Sequence, residues 1–335
     1  MLNIAINGFG RIGRSFLRSY LMDVNARKKL NIVAINVGPS IMKNVPHMFK
    51  YDTFMGTLPY DVSFERGNLV VDGLMIPLIG VMNPEQAGWD KFKVDWVIEA
   101  TGFFTSKEKA SLHLEAGAQR VLITAPGKNA DVTIVPGVND TMFDAMAHKI
   151  ISLASCTTNA LAPMLKVLHE KFGIETAMMN TIHSYTNNQV LLDVEARDLR
   201  QARAATMSII PTSTGASSAI KEVYPVLTGK ITGMSLRVPI GKISIIDLTF
   251  TTTSTIDKAS INQAFADARD GILKNVLDST TLPLVSIDYT NNPHSVIIDE
   301  LLTDVCGDTT GKVFGWYDNE FGYSCRIKDF LVHQK

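Results

Sequence analysis

Residues Leu2 to Ile6 form a short, mostly apolar run that stops at Asn7-Gly8, and from Arg11 to Met22 the side chains of Ile12, Phe16, Leu17, Tyr20 and Leu21 recur at helical spacing. The pattern predicts strand, tight turn, helix. A second apolar run, Leu30 to Asn36, completes a βαβ unit whose strands pair in parallel, because a helix connects them. The alternation continues through a strand-like run at Val94 to Glu99 and a helix from Ser106, a candidate N-cap, to Ala116 ahead of Gly117. Further strand-like runs follow at Val121 to Thr124, Val132 to Val135 and Ile150 to Leu153. Beyond Cys156 the texture changes. One helix carries Leu161, Leu165, Leu168 and Phe172 on a common face, and then come alternating or β-branched runs such as Gly233 to Val238, Ser244 to Ser254 and Ser295 to Ile298. These predict a mainly antiparallel sheet and a domain boundary near residue 155. No internal repeat, low-complexity tract or Pro/Gly/Ser-rich linker interrupts the chain, so the halves are expected to pack directly, with the cleft between them as the default site.

Composition narrows the chemistry. A chain of 335 residues is long enough for two domains with a large core, and 46% hydrophobic residues, 19% charged residues and a net charge of -1 are ordinary globular values. No basic field is available for nucleic acid, although a local pocket for one small anion stays open. Three cysteines, Cys156, Cys306 and Cys325, are an odd and sparse set that fits a reducing compartment rather than a disulfide framework. No signal-like N-terminus and no run of 18 apolar residues occurs, so the expectation is a cytoplasmic protein without a membrane span. Neither C-x-x-C nor H-E-x-x-H is present, and no metal is expected.

Gly8-Phe9-Gly10-Arg11-Ile12-Gly13 matches G-x-G-x-x-G in the context that gives this motif meaning: after a strand, at the opening of a helix, inside a βαβ unit. The glycines let backbone approach a pyrophosphate whose charge is met by the helix N-terminus. The same fingerprint normally carries an acid at the end of the second strand, where it accepts ribose hydroxyls. Here the strand ends Asn36-Val37-Gly38-Pro39-Ser40, with no acid. Its absence removes a favourable contact with NAD together with the usual barrier to the 2′-phosphate of NADP; the other reading is that backbone groups and water hold the ribose.

Ser155-Cys156-Thr157-Thr158-Asn159 lies between an apolar strand and a helix, which puts the thiol in the first helical turn. There the unpaired N–H groups and the helix dipole are expected to favour thiolate, and the flanking hydroxyls and amide to bind an oxyanion or phosphate. Cys306 and Cys325 lack such a frame and read as ordinary small residues. His183 ends the strand-like run from Met178 to Ile182 and opens a polar loop, so it is the candidate base.

Six segments in order resemble the phosphorylating glyceraldehyde-3-phosphate dehydrogenase family: Ile-Asn-Gly-Phe-Gly-Arg-Ile-Gly at 6–13, Ala-Ser-Cys-Thr-Thr-Asn at 154–159, His-Ser-Tyr-Thr-Asn at 183–187, Ile-Ile-Pro-Thr-Ser-Thr-Gly-Ala at 209–216, Arg-Val-Pro at 237–239 and Trp-Tyr-Asp-Asn-Glu-Phe-Gly-Tyr at 316–323. The resemblance runs through essentially the whole chain. It implies a Rossmann-type doubly wound parallel sheet over residues 1–155, an α+β catalytic domain with a mainly antiparallel sheet over 156–318, and a C-terminal helix from 319 that returns to the first domain. It implies oxidation of glyceraldehyde 3-phosphate with phosphate and NAD or NADP through a thioester on Cys156, with His183 as acid/base, in a homotetramer. Thr186 and Arg237 would hold the C3 phosphate; Ser155, Thr157, Thr214 and Gly215 would hold the attacking phosphate. Asn7, Gly8, Gly10, Arg11, Ile12, Asn36, Val37, Thr101 and Thr124 would contact the cofactor, with Asn319 on the nicotinamide carboxamide and Tyr323 nearby. An erythrose-4-phosphate dehydrogenase is the neighbouring alternative, and a non-catalytic moonlighting scaffold the alternative of another class. The chain departs from the family pattern at Ala160, where a second cysteine is common, at Asn188 and Gln201, which stand where Asp and Arg are usual, and at Glu195, Met82 and Phe321.

Overall fold

A computed structural model describes residues 1–334. The chain divides into two compact units, one made of residues 1–134, 141–154 and the segment from Ser324, the other of residues 135–140 and 155–323.

In the first unit, strands Leu30–Asn36, Leu2–Asn7, Trp96–Glu99, Arg120–Ile123 and Ile150–Ser152 lie side by side in that order, all parallel. Val132–Thr133 closes one edge, and Leu74–Ile79 extends the other into an antiparallel hairpin with Asn68–Val71 and Val62–Glu65. Parallel strands covered on both faces need apolar side chains in both directions, which is why Ile4, Ala5, Ile6, Val97 and Ile98 are all fully buried. The run expected at Val132 to Val135 pairs over only two residues, because Val135 already belongs to the second unit.

In the second unit, helix Cys156–Phe172 buries Leu161, Leu165, Leu168 and Phe172 as its spacing predicts, and stops at Gly173, which takes φ +71. Its sheet runs in the order Ile210–Thr212, Ile231–Val238, Ile174–Ser184, Ser244–Thr252, Thr310–Tyr317, Val296–Asp299, Leu277–Thr280. Most pairings are antiparallel, but Ile231–Val238 pairs in parallel with Ile174–Ser184, a mate that alternation of side chains cannot specify. The parallel register sets His183 beside Arg237. The C-terminal helix begins at Phe321 rather than 319, because the Asp318 carboxylate accepts the N–H groups of Glu320 and Phe321 and holds the preceding residues in a turn. The division between units falls inside this helix, between Tyr323 and Ser324.

Candidate active site

Cys156 is the first helical residue after Ser155, whose Oγ accepts the Thr158 N–H at 3.0 Å. That cap takes up the Thr158 N–H, and the backbone N–H groups of Cys156 and Thr157 are turned toward the sulfur of the half-buried Cys156. His183, next to last in the strand Ile174–Ser184, places Nε2 3.7 Å from Sγ. Its Nδ1 lies 2.7 Å from the Ser184 carbonyl oxygen and 2.6 Å from Nη1 of Arg237. One nitrogen cannot donate to the carbonyl and accept from the guanidinium at once. With Nδ1 protonated toward Ser184, the Nε2 lone pair faces Sγ and can take its proton.

The electrostatics run against the thiolate expected from the helix dipole. Burial pushes the Cys156 thiol up, and the Arg237 charge only partly offsets it. Burial, then the Arg237 charge, pull the His183 imidazolium down to about 3. The resting pair is thiol and neutral imidazole, and the nucleophile must form by proton transfer as the aldehyde is attacked.

Tyr317, fully buried, was not legible as a site residue. Its hydroxyl bridges Thr157 Oγ1 at 3.0 Å and Thr181 Oγ1 at 2.8 Å, tying the first turn of the Cys156 helix to the His183 strand. Burial and the nearby Cys156 push its phenol up, so it stays neutral. Arg237 also donates from Nη1 to Ser184 O, and its Nε is buried with no partner. The guanidinium charge beside the nucleophile suits an anionic ligand. Thr214 Oγ1 accepts the Ala216 N–H, and Gly215 opens helix Ala216–Val223 without a side-chain cap. Thr186 directs both its N–H and its hydroxyl to Gln189 Oε1. Gln201 pairs with Asp198 rather than with Asn188. Asn319 is buried, and its Oδ1 accepts from Ser184 Oγ and from the Ile243 N–H, both at 3.1 Å. Tyr323 is buried, and burial followed by Cys156 raises its phenol well above the ordinary value.

The first unit presents a nucleotide-type turn. Gly8 takes φ +95 with Thr101 where a Cβ would go, and a Cβ on Gly13 would sit 2.2 Å from the Gly8 carbonyl oxygen. A Cβ on Gly10 would meet nothing within 4 Å, so the uncapped N-terminus of helix Arg11–Leu21, with Ile12 half-buried in its first turn, is open to a phosphate. These residues fit a dinucleotide. Asn7 and Asn36 are scaffold: Asn36 Nδ2 donates to Asn7 Oδ1 at 2.7 Å, and Asn7 Nδ2 donates to the buried Glu99 at 2.6 Å. Thr101 donates its hydroxyl to the same carboxylate, Thr124 donates to the Glu99 carbonyl oxygen, and Arg11 pairs with Asp52.

The donors beside Val37 are already engaged. The Gly38 N–H goes to Asn36 Oδ1 and the Ser40 hydroxyl to the Val37 carbonyl oxygen. Arg14, which sequence spacing alone did not single out, stands close by. With Gly10, Val37 and Ser40 it lines a cavity of about 500 Å³ that no carboxylate lines. Among the described residues no cluster of His, Cys, Asp and Glu could hold a metal ion, and no helix is long and apolar enough to cross a membrane.

Residues 2–107 match the NAD-binding domain of glyceraldehyde-3-phosphate dehydrogenase, and residues 155–319 match its C-terminal domain. Over 332 residues, 99% of this chain and 96% of the relative, the sequence is 48% identical to glyceraldehyde-3-phosphate dehydrogenase 2 of Bacillus subtilis (strain 168). The chain belongs to the glyceraldehyde-3-phosphate dehydrogenase family. It is 46% identical to the glyceraldehyde-3-phosphate dehydrogenase of Geobacillus stearothermophilus and 47% identical to a plasmid-encoded one of Cupriavidus necator (strain ATCC 17699), each across 99% of this chain and 98% of the relative. The glycine turn lies in the stretch that matches the NAD-binding domain, and Cys156, His183, Arg237 and Asn319 all lie in the stretch that matches the C-terminal domain.

Proposed function

We propose that this chain oxidises glyceraldehyde 3-phosphate to 1,3-bisphosphoglycerate, with inorganic phosphate as acyl acceptor and NAD as hydride acceptor, in glycolysis and gluconeogenesis. The observation that carries the reading is the Cys156–His183 pair set against the Arg237 guanidinium. His183 Nε2 takes the proton from Sγ as sulfur attacks the aldehyde carbon, and returns it to the oxyanion to give a hemithioacetal. When bound, the nicotinamide supplies the acceptor for the hydride that leaves this carbon. His183 receives the hydroxyl proton in that step, and a thioester to Cys156 remains. A phosphate oxygen then attacks the thioester carbon, Sγ leaves and takes back the proton held on His183 Nε2, and the proton of the phosphate passes to solvent. Arg237 and Thr186 hold the C3 phosphate, while Ser155, Thr157, Thr214 and Gly215 hold the incoming one, and the single guanidinium of Arg237 serves both pockets, a set of amides, hydroxyls and one cation suited to two dianions. An erythrose-4-phosphate dehydrogenase is not favoured, since the compared relatives are glyceraldehyde-3-phosphate dehydrogenases. A non-catalytic scaffold has no reason to keep Cys156, His183 and Arg237 in contact.

Initial rates with glyceraldehyde 3-phosphate, phosphate and NAD test the reading; no phosphate-dependent turnover overturns it. His183→Asn should lower the rate roughly 10²- to 10⁴-fold, the usual share of a positioned acid/base. The same side chain predicts an acid-sensitive fold. Its folded pKa of about 3 lies below the ordinary 6.5, so below about pH 6.5 the unfolded chain binds a proton that the native state refuses. Stability should fall as pH drops through that window, and chemical denaturation of His183→Asn at pH 7 and pH 4.5 should show a smaller loss.

NADP should also serve. No acid stands at Val37, and the Arg14 cavity can accept a phosphate; against it, Glu195 is exposed in a loop that reaches a neighbour's adenosine site in the family, and Met82 is exposed and brings no cation. Val37→Asp should suppress NADP, Arg14→Met should cost NADP more than NAD, and Glu195→Ser should favour NADP. Discrimination against NADP by more than about a thousandfold, roughly 4 kcal/mol, would refute this part. The homotetramer is supported by Leu191, Leu192, Val194, Leu199, Met207 and Ile209, which stand exposed on one segment of the single chain. A cytoplasmic location is supported by the odd, sparse set of Cys156, Cys306 and Cys325, none of which is in a disulfide.

A further inference from the structure

Two dipeptides remote in sequence are cross-linked twice in the second unit. Lys242, buried at 6% exposure, pairs through Nζ with Asp318 Oδ2 at 2.8 Å and donates to Asn291 Oδ1 at 2.9 Å. Its neighbour Ile243 donates its backbone N–H to Asn319 Oδ1 at 3.1 Å. To make that bond Ile243 takes φ +69, a left-handed conformation that a β-branched residue resists, and it is fully buried against Tyr289 and Ile297. Strain of this kind persists only where the surroundings over-determine it. The Asp318 carboxylate does so, since it also accepts the N–H groups of Asn291, Glu320 and Phe321.

The consequence falls on the Asn319 amide. Two donors, the Ile243 N–H and the Ser184 hydroxyl, meet at Oδ1, so the oxygen must stand there and the NH₂ group must face away from them. We propose that Lys242 and Ile243 are positioning residues for the nicotinamide end of the cofactor: the buried ion pair fixes the backbone at 318–319, and the strained N–H fixes which way the Asn319 amide is turned. Lys242 acts at one remove, through Asp318 and Asn319. The Ser184 hydroxyl serves this amide while its carbonyl oxygen lies within reach of His183 Nδ1, so the base and the carboxamide donor are aligned by one residue. The inference rests on the reading of Asn319 given above.

Calorimetric binding of NAD and of ADP-ribose, which lacks the nicotinamide, separates positioning from mere stability. Lys242→Met should weaken NAD about three- to tenfold, the scale of one hydrogen bond, and leave ADP-ribose unchanged, while Lys242→Arg restores the wild-type ratio. Equal losses for both ligands overturn the proposal. Asn319→Ala is the control: if it leaves the ratio of the two affinities unchanged, the reading of Asn319 fails and the inference falls with it. If it moves the ratio and Lys242→Met does not, the inference alone fails. Should Lys242→Met not fold, Lys242→Gln, which keeps a donor without the charge, takes its place in the same comparison.

Discussion

Cys156→Ser should fold, bind NAD and lose turnover to background. The resting site already withholds help from the nucleophile: burial raises the thiol, and the imidazole is neutral, so the reaction depends on sulfur giving up its proton at the moment of attack. An alcohol, far less acidic than a thiol and a poorer nucleophile as a neutral group, cannot follow that route. Burst kinetics provide the sharper measurement. Wild type should release one equivalent of NADH per site before phosphate is added, because the thioester accumulates, and Cys156→Ser should show no burst. A burst in the serine variant, or wild-type turnover, would remove the covalent intermediate.

Much of this site is legible along the chain, and the reasons are local. The parallel half announces itself because strands covered on both faces need continuous apolar runs and their connecting helices need a 3.6-residue period, so Leu2 to Asn36 reads as βαβ without tertiary information. Cys156 stands out because hydrogen-bonding residues surround it at a strand-to-helix junction, and His183 because it ends a strand at a polar loop. What stays hidden depends on long-range placement. The Tyr317 hydroxyl meets Thr157 and Thr181 across 160 and 136 residues. The parallel mate of Ile174–Ser184 is equally invisible, since alternation records which face is buried and nothing about the neighbour. The direction of the thiol shift fails for the same reason: a helix N-terminus is readable from sequence, but the burial that outweighs it is a tertiary quantity.

Arg237 joins these threads. In the structure its guanidinium leans on His183 Nδ1 and on the Ser184 carbonyl oxygen, adding to the burial that keeps the imidazole neutral. If the C3 phosphate binds Arg237 as proposed, its charge should offset that of the guanidinium and make His183 a stronger base.

Arg237→Leu should therefore do two things at once. It should raise the Michaelis constants for both glyceraldehyde 3-phosphate and inorganic phosphate by roughly ten- to a hundredfold each, as expected for losing a hydrogen bond to a charged group at about 1.5–3 kcal/mol. It should also shift the pH dependence of kcat/KM. Without the cation the imidazolium is no longer pushed down and the thiol is no longer pulled down, so both groups titrate at higher pH and the whole profile moves to the alkaline side. Arg237→Lys separates the two effects: a point charge restores the titration, but an ammonium cannot span two phosphates as a planar fork can, so the Michaelis constants should stay raised while the profile returns. A change in only one Michaelis constant would show that the two phosphates do not share this arginine. An unmoved pH profile would show that its charge does not govern the Cys156–His183 pair.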